Sequence, residues 1–168
     1  MVFRADAELV AFRLVRHGYR AFDASGAARW GGRWSRRGRA VIHAAETYSL
    51  AVLESLVHFN IGELPPHLEM IQIKVPAGVS REVLEAEALP GWDGAQPNAI
   101  SQDFGDRWHD ERRSCVLIVP SKLSPFERNI LLHGQHEELR GVEVGAPQPV
   151  RLDDRPRERL VTSPRPRS

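Results

Sequence analysis

Hydrophobic positions along this chain repeat with two different periods, and the switches between them mark out its elements. Residues 9–16 have the β-branched and aromatic content of a strand, followed through Arg39 by a loop rich in Gly, Ala and Arg. A second, short strand is predicted over residues 40–44. From Thr47 the period lengthens. Leu50, Leu53, Leu56 and Val57 fall on one helical face, with Thr47 as the N-cap and an end near Asn60 and Gly62. Residues 70–75 return to strict alternation, with Ile71, Ile73 and Val75 on one side and Gln72 and Lys74 on the other, and Pro76 closes this half-buried strand. Ser80 predicts the cap of a short helix through Ala88, and Ser101 the cap of another in which Phe104 and Trp108 stand one turn apart. Between them Leu89-Pro90-Gly91-Trp92 reads as loop. Residues 115–119 predict a buried strand, Ser124-Pro125 the start of a helix, and residues 142–144 and 150–152 the last short strands. Strands and helices intermix without βαβ alternation or internal repeat, so the fold class expected is α+β in a single domain.

Composition narrows the function. The chain has 168 residues, 42% hydrophobic and 27% charged, enough to bury a core without disulfides or a structural metal. Its one cysteine, Cys115, forms no internal disulfide, and Arg4, Asp6 and Glu8 stand where a secretory apolar stretch would run, so a cytoplasmic protein is expected. The longest apolar run, residues 115–119, falls far short of the roughly 20 residues that cross a bilayer, so no membrane role is expected. The net charge of +1 hides an asymmetry: residues 1–40 hold nine Arg against three acidic residues, and residues 41–150 hold sixteen acidic against eight basic. Residues 151–168 add six Arg and three acids, a composition that predicts a disordered tail over residues 156–168. The balanced total argues against direct nucleic-acid binding, and the basic amino-terminal part suits a smaller anionic ligand or is simply solvated. Asp103, Asp106, Asp110 and Glu111 read as a solvated helix face or as a surface for a basic partner.

Several familiar site signatures are absent, including G-x-x-x-x-G-K-S/T, G-x-G-x-x-G after a strand, H-E-x-x-H and paired C-x-x-C. His133 and His136 have H-x-x-H spacing, but no carboxylate or thiol joins them with ligand spacing, so no metal is expected. Glu54 is the most informative carboxylate. At 100° per residue it lies about 40° from Leu50, on the border of the apolar stripe. A carboxylate there is partly dehydrated, and is either paired with a cation or held for work on a developing positive charge. Arg33 follows Gly31-Gly32, which read either as a plain turn or as a close approach to a ligand. Its guanidinium offers a planar fork suited to a pyrophosphate. Ser121 follows a strand and Pro120, where its hydroxyl either faces a cleft or satisfies nearby backbone.

Taken together these pieces resemble the RES-domain family, the toxin half of bacterial RES and Xre toxin-antitoxin pairs. The resemblance is carried by Arg13 in Phe12-Arg13-Leu14, by Gly31-Gly32-Arg33-Trp34 with Gly38, by Val41-Ile42-His43-Ala44-Ala45, and by the run from Leu50 through Glu54 to His58. Later landmarks are Leu89-Pro90-Gly91-Trp92, Val119-Pro120-Ser121, Asn129 before Leu131-Leu132, His136 and Asp153-Asp154-Arg155, so that residues 1–155 form the domain.

The resemblance implies a fold similar to ADP-ribosyltransferase toxins, with split β-sheets and flanking helices around a cleft for NAD+, the substrate. Glu54 and Arg33 would be the catalytic residues, and Arg13, Arg33, His43, Ser121 and Asn129 would bind the dinucleotide. It further implies a toxin that cleaves the nicotinamide bond and passes ADP-ribose to water or phosphate, arresting growth. The alternatives are a mono-ADP-ribosyltransferase acting on a protein such as ribose-phosphate pyrophosphokinase, and an inactive module that only binds its antitoxin. The implied partner is a cognate Xre-like antitoxin, in a complex that can hold a toxin homodimer. Two positions depart from the family pattern, His43 where Tyr is usual and His133-Gly134 where Asn-Pro is usual, and both bear on the acceptor.

Overall fold

The strand β2 (Leu9–Arg16) pairs antiparallel with β4 (Leu68–Val75) along its whole length, from Leu9 opposite Val75 to Arg16 opposite Leu68. That register sets Ala11 beside Ile73, so the alternation predicted for residues 70–75 becomes one buried face. These pairings come from a computed structural model, which describes residues 1–58, 67–95 and 97–150. The expected end of the helix near Asn60 and Gly62, and the expected tail, lie outside the described residues.

The remaining elements are β1 (Val2–Arg4), α1 (Ser25–Trp30), β3 (Val41–Ala45), α2 (Tyr48–His58), β5 (Ser80–Val83), α3 (Ala99–Asp110), β6 (Val116–Pro120), β7 (Arg128–His133), β8 (Glu143–Val144) and β9 (Gln148–Pro149). The described strands run in the order β1-β5-β6-β7-β3-β2-β4-β8, with β9 also on β4, and only β5 and β6 pair in parallel. The expected α+β class holds.

The order conceals a split. β3 and β7 pair from Val41 opposite His133 to Ala45 opposite Asn129, whereas β2 and β3 meet at one position, Phe12 opposite Ala45. Two half-sheets are thus joined at a single rung and diverge beyond it. One face buries Ile42, Ile71, Ile73, Val75, Val116 and Leu132, and the other buries Val41, Leu117, Val119 and Leu131 under Trp34, Trp92 and Trp108. Leu50 and Ala51 seat α2 on Ala45. Gly105 lets α3 approach the backbone of Trp34, where an added Cβ would fall 1.8 Å from the carbonyl oxygen.

Several sequence expectations change. Residues 80–83 are a strand, not the start of a helix. Both the backbone NH and the hydroxyl of Ser80 bond Glu138, the hydroxyl accepts from Cys115 NH at 2.9 Å, and Arg81 donates to the carbonyls of Ala7, Val75 and Pro76. Distant partners hold this polar segment extended, against its local capping signal. Ser124-Pro125 begins no helix. The Ser121 hydroxyl accepts from the NH groups of Leu123 and Ser124, and the chain turns directly into β7. The Gly, Ala and Arg loop contains α1, Val2–Arg4 adds an edge strand, and the cap of α3 is Asn98, whose side chain accepts from Ile100 NH. Thr47 does cap α2, accepting from Leu50 NH at 3.1 Å, but Leu53 and Val57 on the predicted apolar face are exposed.

Candidate active site

Glu54 extends from α2 beside the rung where the half-sheets part, and its carboxylate is half-buried. Two donors meet on one of its oxygens: Ser121 Oγ at 3.1 Å and Asn129 Nδ2 at 2.6 Å, both to Oε1. Register explains the convergence. Asn129 stands opposite Ala45 on one side and Val119 on the other, so its side chain shares the face on which α2 packs, and Ser121 lies just beyond the end of β6. The Ser121 hydroxyl is fixed in turn by the two NH groups that donate to it. Glu54 Oε2 takes no hydrogen bond among the described residues, so the carboxylate is anchored by one oxygen and presents the other.

Arg33 forms a second wall. Its guanidinium donates from one nitrogen to the carbonyls of Trp92 and Gly94, each at 3.1 Å. Burial holds it below its ordinary pKa, opposed by the negative charges of Glu54 and Asp93. The preceding turn is tightly defined. Gly31 has φ of 71°, and a Cβ there would lie 2.9 Å from the Ser35 carbonyl oxygen. Gln102 Nε2 donates to the Gly32 carbonyl at 3.0 Å, a contact no sequence motif announced. Trp34 and Trp92 stack with centroids 5.6 Å apart and carry the Trp92–Gly94 segment against the core. The His43 ring lies beside Gly32, where an added Cβ would sit 3.6 Å from its Cε1.

Arg13 is not brought into this group. It stands opposite Ile71, on the other face of the sheet, and reaches the divergence between the half-sheets to bond the carbonyls of His43 and Asp23, each at 2.8 Å. Burial pushes its guanidinium down to about 10, against the opposing charge of Asp23. Two further groups resolve into internal structure. Asp106 and Asp110 pair with Arg36 and Arg39, and Asp103 with Arg36, so the acidic face of α3 binds the chain's own basic loop. His133 is fully buried, with Nε2 on the His109 carbonyl at 2.9 Å and Nδ1 accepting from Gln135 NH, while His136 Nδ1 accepts from Glu138 NH. No group of three or more metal-ligating side chains occurs among the described residues.

A groove of about 770 Å³ lined by Phe22, Arg112, Gln135, His136 and Leu139 lies elsewhere. Phe22 and Leu139 pack on the face opposite Glu54, and the groove gathers no donors on a carboxylate. The converging donors and the open carboxylate oxygen therefore lie at the split, not in this groove. A carboxylate with one fixed and one open oxygen, within electrostatic reach of a constrained guanidinium, suits a substrate that carries an anionic linker and develops positive charge nearby.

The chain is similar to proteins that are already known. Residues 10–153 match the family described as RES domain. The chain is 39% identical over 131 residues to "Prs ADP-ribosylating toxin" of a Sphingobium species, covering 75% of this chain and 81% of the relative. It is 34% identical over 128 residues to "Toxin Res" of Photorhabdus laumondii, covering 74% and 81%. Among solved structures, the M. tuberculosis MbcT-MbcA toxin-antitoxin complex shares the fold with a TM-score of 0.71 at 13% identity, covering 88% of this chain and 86% of the other. Among the described residues, no helix is long and apolar enough to cross a membrane.

Proposed function

The chain belongs to the RES domain family, as a toxin of a toxin-antitoxin system, and from that premise we propose that it consumes NAD+ and how its own residues perform the reaction. Arg33 takes the diphosphate of NAD+, leaving the carbonyls of Trp92 and Gly94 that it now bonds. Glu54 faces the nicotinamide ribose. When the bond from C1′ to the pyridinium nitrogen breaks, its electron pair leaves with nicotinamide, which becomes neutral, and the positive charge passes to the ribose as an oxocarbenium ion. The open Oε2 stabilises that charge, while Ser121 and Asn129 hold Oε1 so that the carboxylate need not reorganise. Water or phosphate then attacks C1′ and gives up a proton, completing ADP-ribose or its phosphate ester.

His43 packs beside Gly32 and lines the wall next to Arg33, and Arg13 supports that wall through the His43 carbonyl. The partner is an antitoxin of the Xre-like kind that covers the cleft, and two toxin copies can share the complex. The observation that carries the reading is the pair of donors converging on Glu54 Oε1. The relative named for ADP-ribosylating Prs favours a second acceptor, a protein side chain attacking the same carbon.

Purified protein incubated with NAD+ labelled in its adenylate moiety tests both. Nicotinamide release with label in free ADP-ribose supports water as acceptor, and label in its phosphate ester supports phosphate. Label fixed on an added protein moves the assignment to that acceptor. An enzyme that releases no nicotinamide, or a Glu54→Gln variant that releases it at the parent rate, removes the proposed mechanism.

A further inference from the structure

The basic loop between β2 and β3 contains a surface that the NAD+ reaction does not use. Trp30 ends α1, a helix with no buried residue, and is 66% exposed. Two guanidiniums lie over its ring, Arg29 at 5.2 Å and Arg37 at 5.8 Å from the centroid. Neither is in an ion pair among the described residues, although their neighbours Arg36 and Arg39 are neutralised by the aspartates of α3. A cation–π contact holds a guanidinium near the indole and leaves N–H groups available for carboxylates, which lowers the entropy still to be lost when a partner orders these two side chains. Exposed Trp with Arg is the composition that dominates interface energetics.

The position of the platform decides what it could control. Trp30 precedes Arg33 by three residues, which puts their Cα atoms within about 11 Å. Gly31 NH bonds the Ala27 carbonyl and Gly38 NH the Ala28 carbonyl, so α1 and the Gly31-Gly32-Arg33 turn form one braced unit. We propose that Trp30, Arg29 and Arg37 dock an acidic segment of the cognate antitoxin, which crosses the mouth of the Glu54 site from there. The two unneutralised cations favour a negatively charged occupant, and one seated within a few residues of Arg33 blocks dinucleotide entry without occupying Glu54 itself. The proposal rests on the reading of Glu54 as the NAD+-cleaving centre.

The test uses the full chain and the full-length cognate antitoxin, in wild type, Trp30→Ala and Arg29→Glu/Arg37→Glu forms. Affinity is measured by titration calorimetry at low and moderate salt, self-association by light scattering, and NAD+ consumption without antitoxin. We expect NAD+ consumption within twofold of wild type, at least a tenfold weaker antitoxin affinity for both variants, and a flatter salt dependence for the charge reversal. The charge reversal serves as the decisive variant if Trp30→Ala fails to fold. Antitoxin affinity within twofold of wild type overturns the proposal, as does a parallel loss of NAD+ consumption, which would make the platform part of the substrate site. Self-association that weakens while antitoxin affinity holds also overturns it, by assigning the patch to a second copy. Failure of the functional reading is distinct: wild type would then consume no NAD+ while the variants still lost antitoxin, and docking would stand without the chemistry.

Discussion

Asn129 and His133 lie four residues apart on the same face of β7, one opposite Ala45 and the other opposite Val41, yet they serve two very different polar clusters. At the Asn129 end, donors from β7 and from the turn after β6 meet on a half-buried carboxylate and leave one of its oxygens open. At the His133 end, the ring stacks on His109 with centroids 4.1 Å apart, meets Trp108 edge-on at 5.5 Å, and spends both nitrogens on backbone groups. Titratable residues gather at both ends, but the atom left without a partner at the His133 end, His109 Nε2, is buried, whereas the open oxygen at the Asn129 end belongs to a half-buried carboxylate. That difference, more than the presence of His or Glu, is why the reaction is proposed at the Asn129 end and the His133 end is read as a polar plug in the core.

The comparison breaks most directly at Glu54. Glu54→Gln keeps the shape and the Asn129 and Ser121 neighbours but removes the charge proposed to face the oxocarbenium ion. The expected cost is a hundred- to a thousandfold in nicotinamide release, about 3–4 kcal/mol of barrier, with the melting temperature nearly unchanged. Single-turnover assays alongside thermal melts check both halves. His133→Ala should do the reverse. Loss of a fully buried ring and orphaning of the His109 carbonyl and Gln135 NH should cost about 2–4 kcal/mol of stability, with turnover per folded molecule preserved at low temperature. Denaturant melts would show it, and a His133 variant that melted normally but lost turnover would erase the distinction between the two ends.

Ser121→Ala and Asn129→Ala sharpen the comparison within the site. Each removes one of the two bonds that fix Oε1, so each should lower turnover roughly tenfold, and the double variant should lose less than the product because both act through one carboxylate. A fully multiplicative double variant would mean that the two residues act separately on the substrate.

How much of this was legible beforehand depended on how local its causes are. The strands at 9–16 and 70–75 and the cap at Thr47 follow from periodicity and one hydroxyl, and the sequence pattern placed them within a residue or two. Residues 80–83 and 124–125 differ from expectation because Ser80 and Ser124 carry the signal of a helix cap, while the Ser80 hydroxyl answers to Glu138 and Cys115 and the chain at 121–124 turns about the Ser121 hydroxyl, partners and geometry that no local rule contains. Within the site, Glu54 stood out at the border of its apolar stripe. Arg33, Ser121 and Asn129 gained weight from the family resemblance. Convergence on a single oxygen could not be read, because it depends on the register of β7 between β3 and β6. Nor could the tie from Arg13 to the His43 carbonyl, which exists because β2 and β3 part after one rung.

The smallest expected effect is acid sensitivity, and its sign follows from the closed end of β7. Burial holds the imidazoles of both His109 and His133 below the ordinary value of 6.5, with Asp110 opposing this at His109 and the His109 carbonyl opposing it at His133. The folded protein therefore keeps these rings neutral at pH values where the unfolded chain already protonates them, and stability declines as pH falls below about 6.5. The carboxylates Asp23, Asp110, Glu127 and Glu138 are held below ordinary values of 3.8 or 4.5, so the stability they contribute is present above that range and is lost only in stronger acid. Between pH 6.5 and 5 the melting temperature thus reports chiefly on the histidines. It should fall across that window in the parent and less steeply in His109→Phe, in which the ring can still stack on His133 but cannot take up a proton. An unchanged slope in that variant would move the acid sensitivity away from the stacked pair, and with it the claim that the two ends of β7 are told apart by what their titratable groups have left to bind.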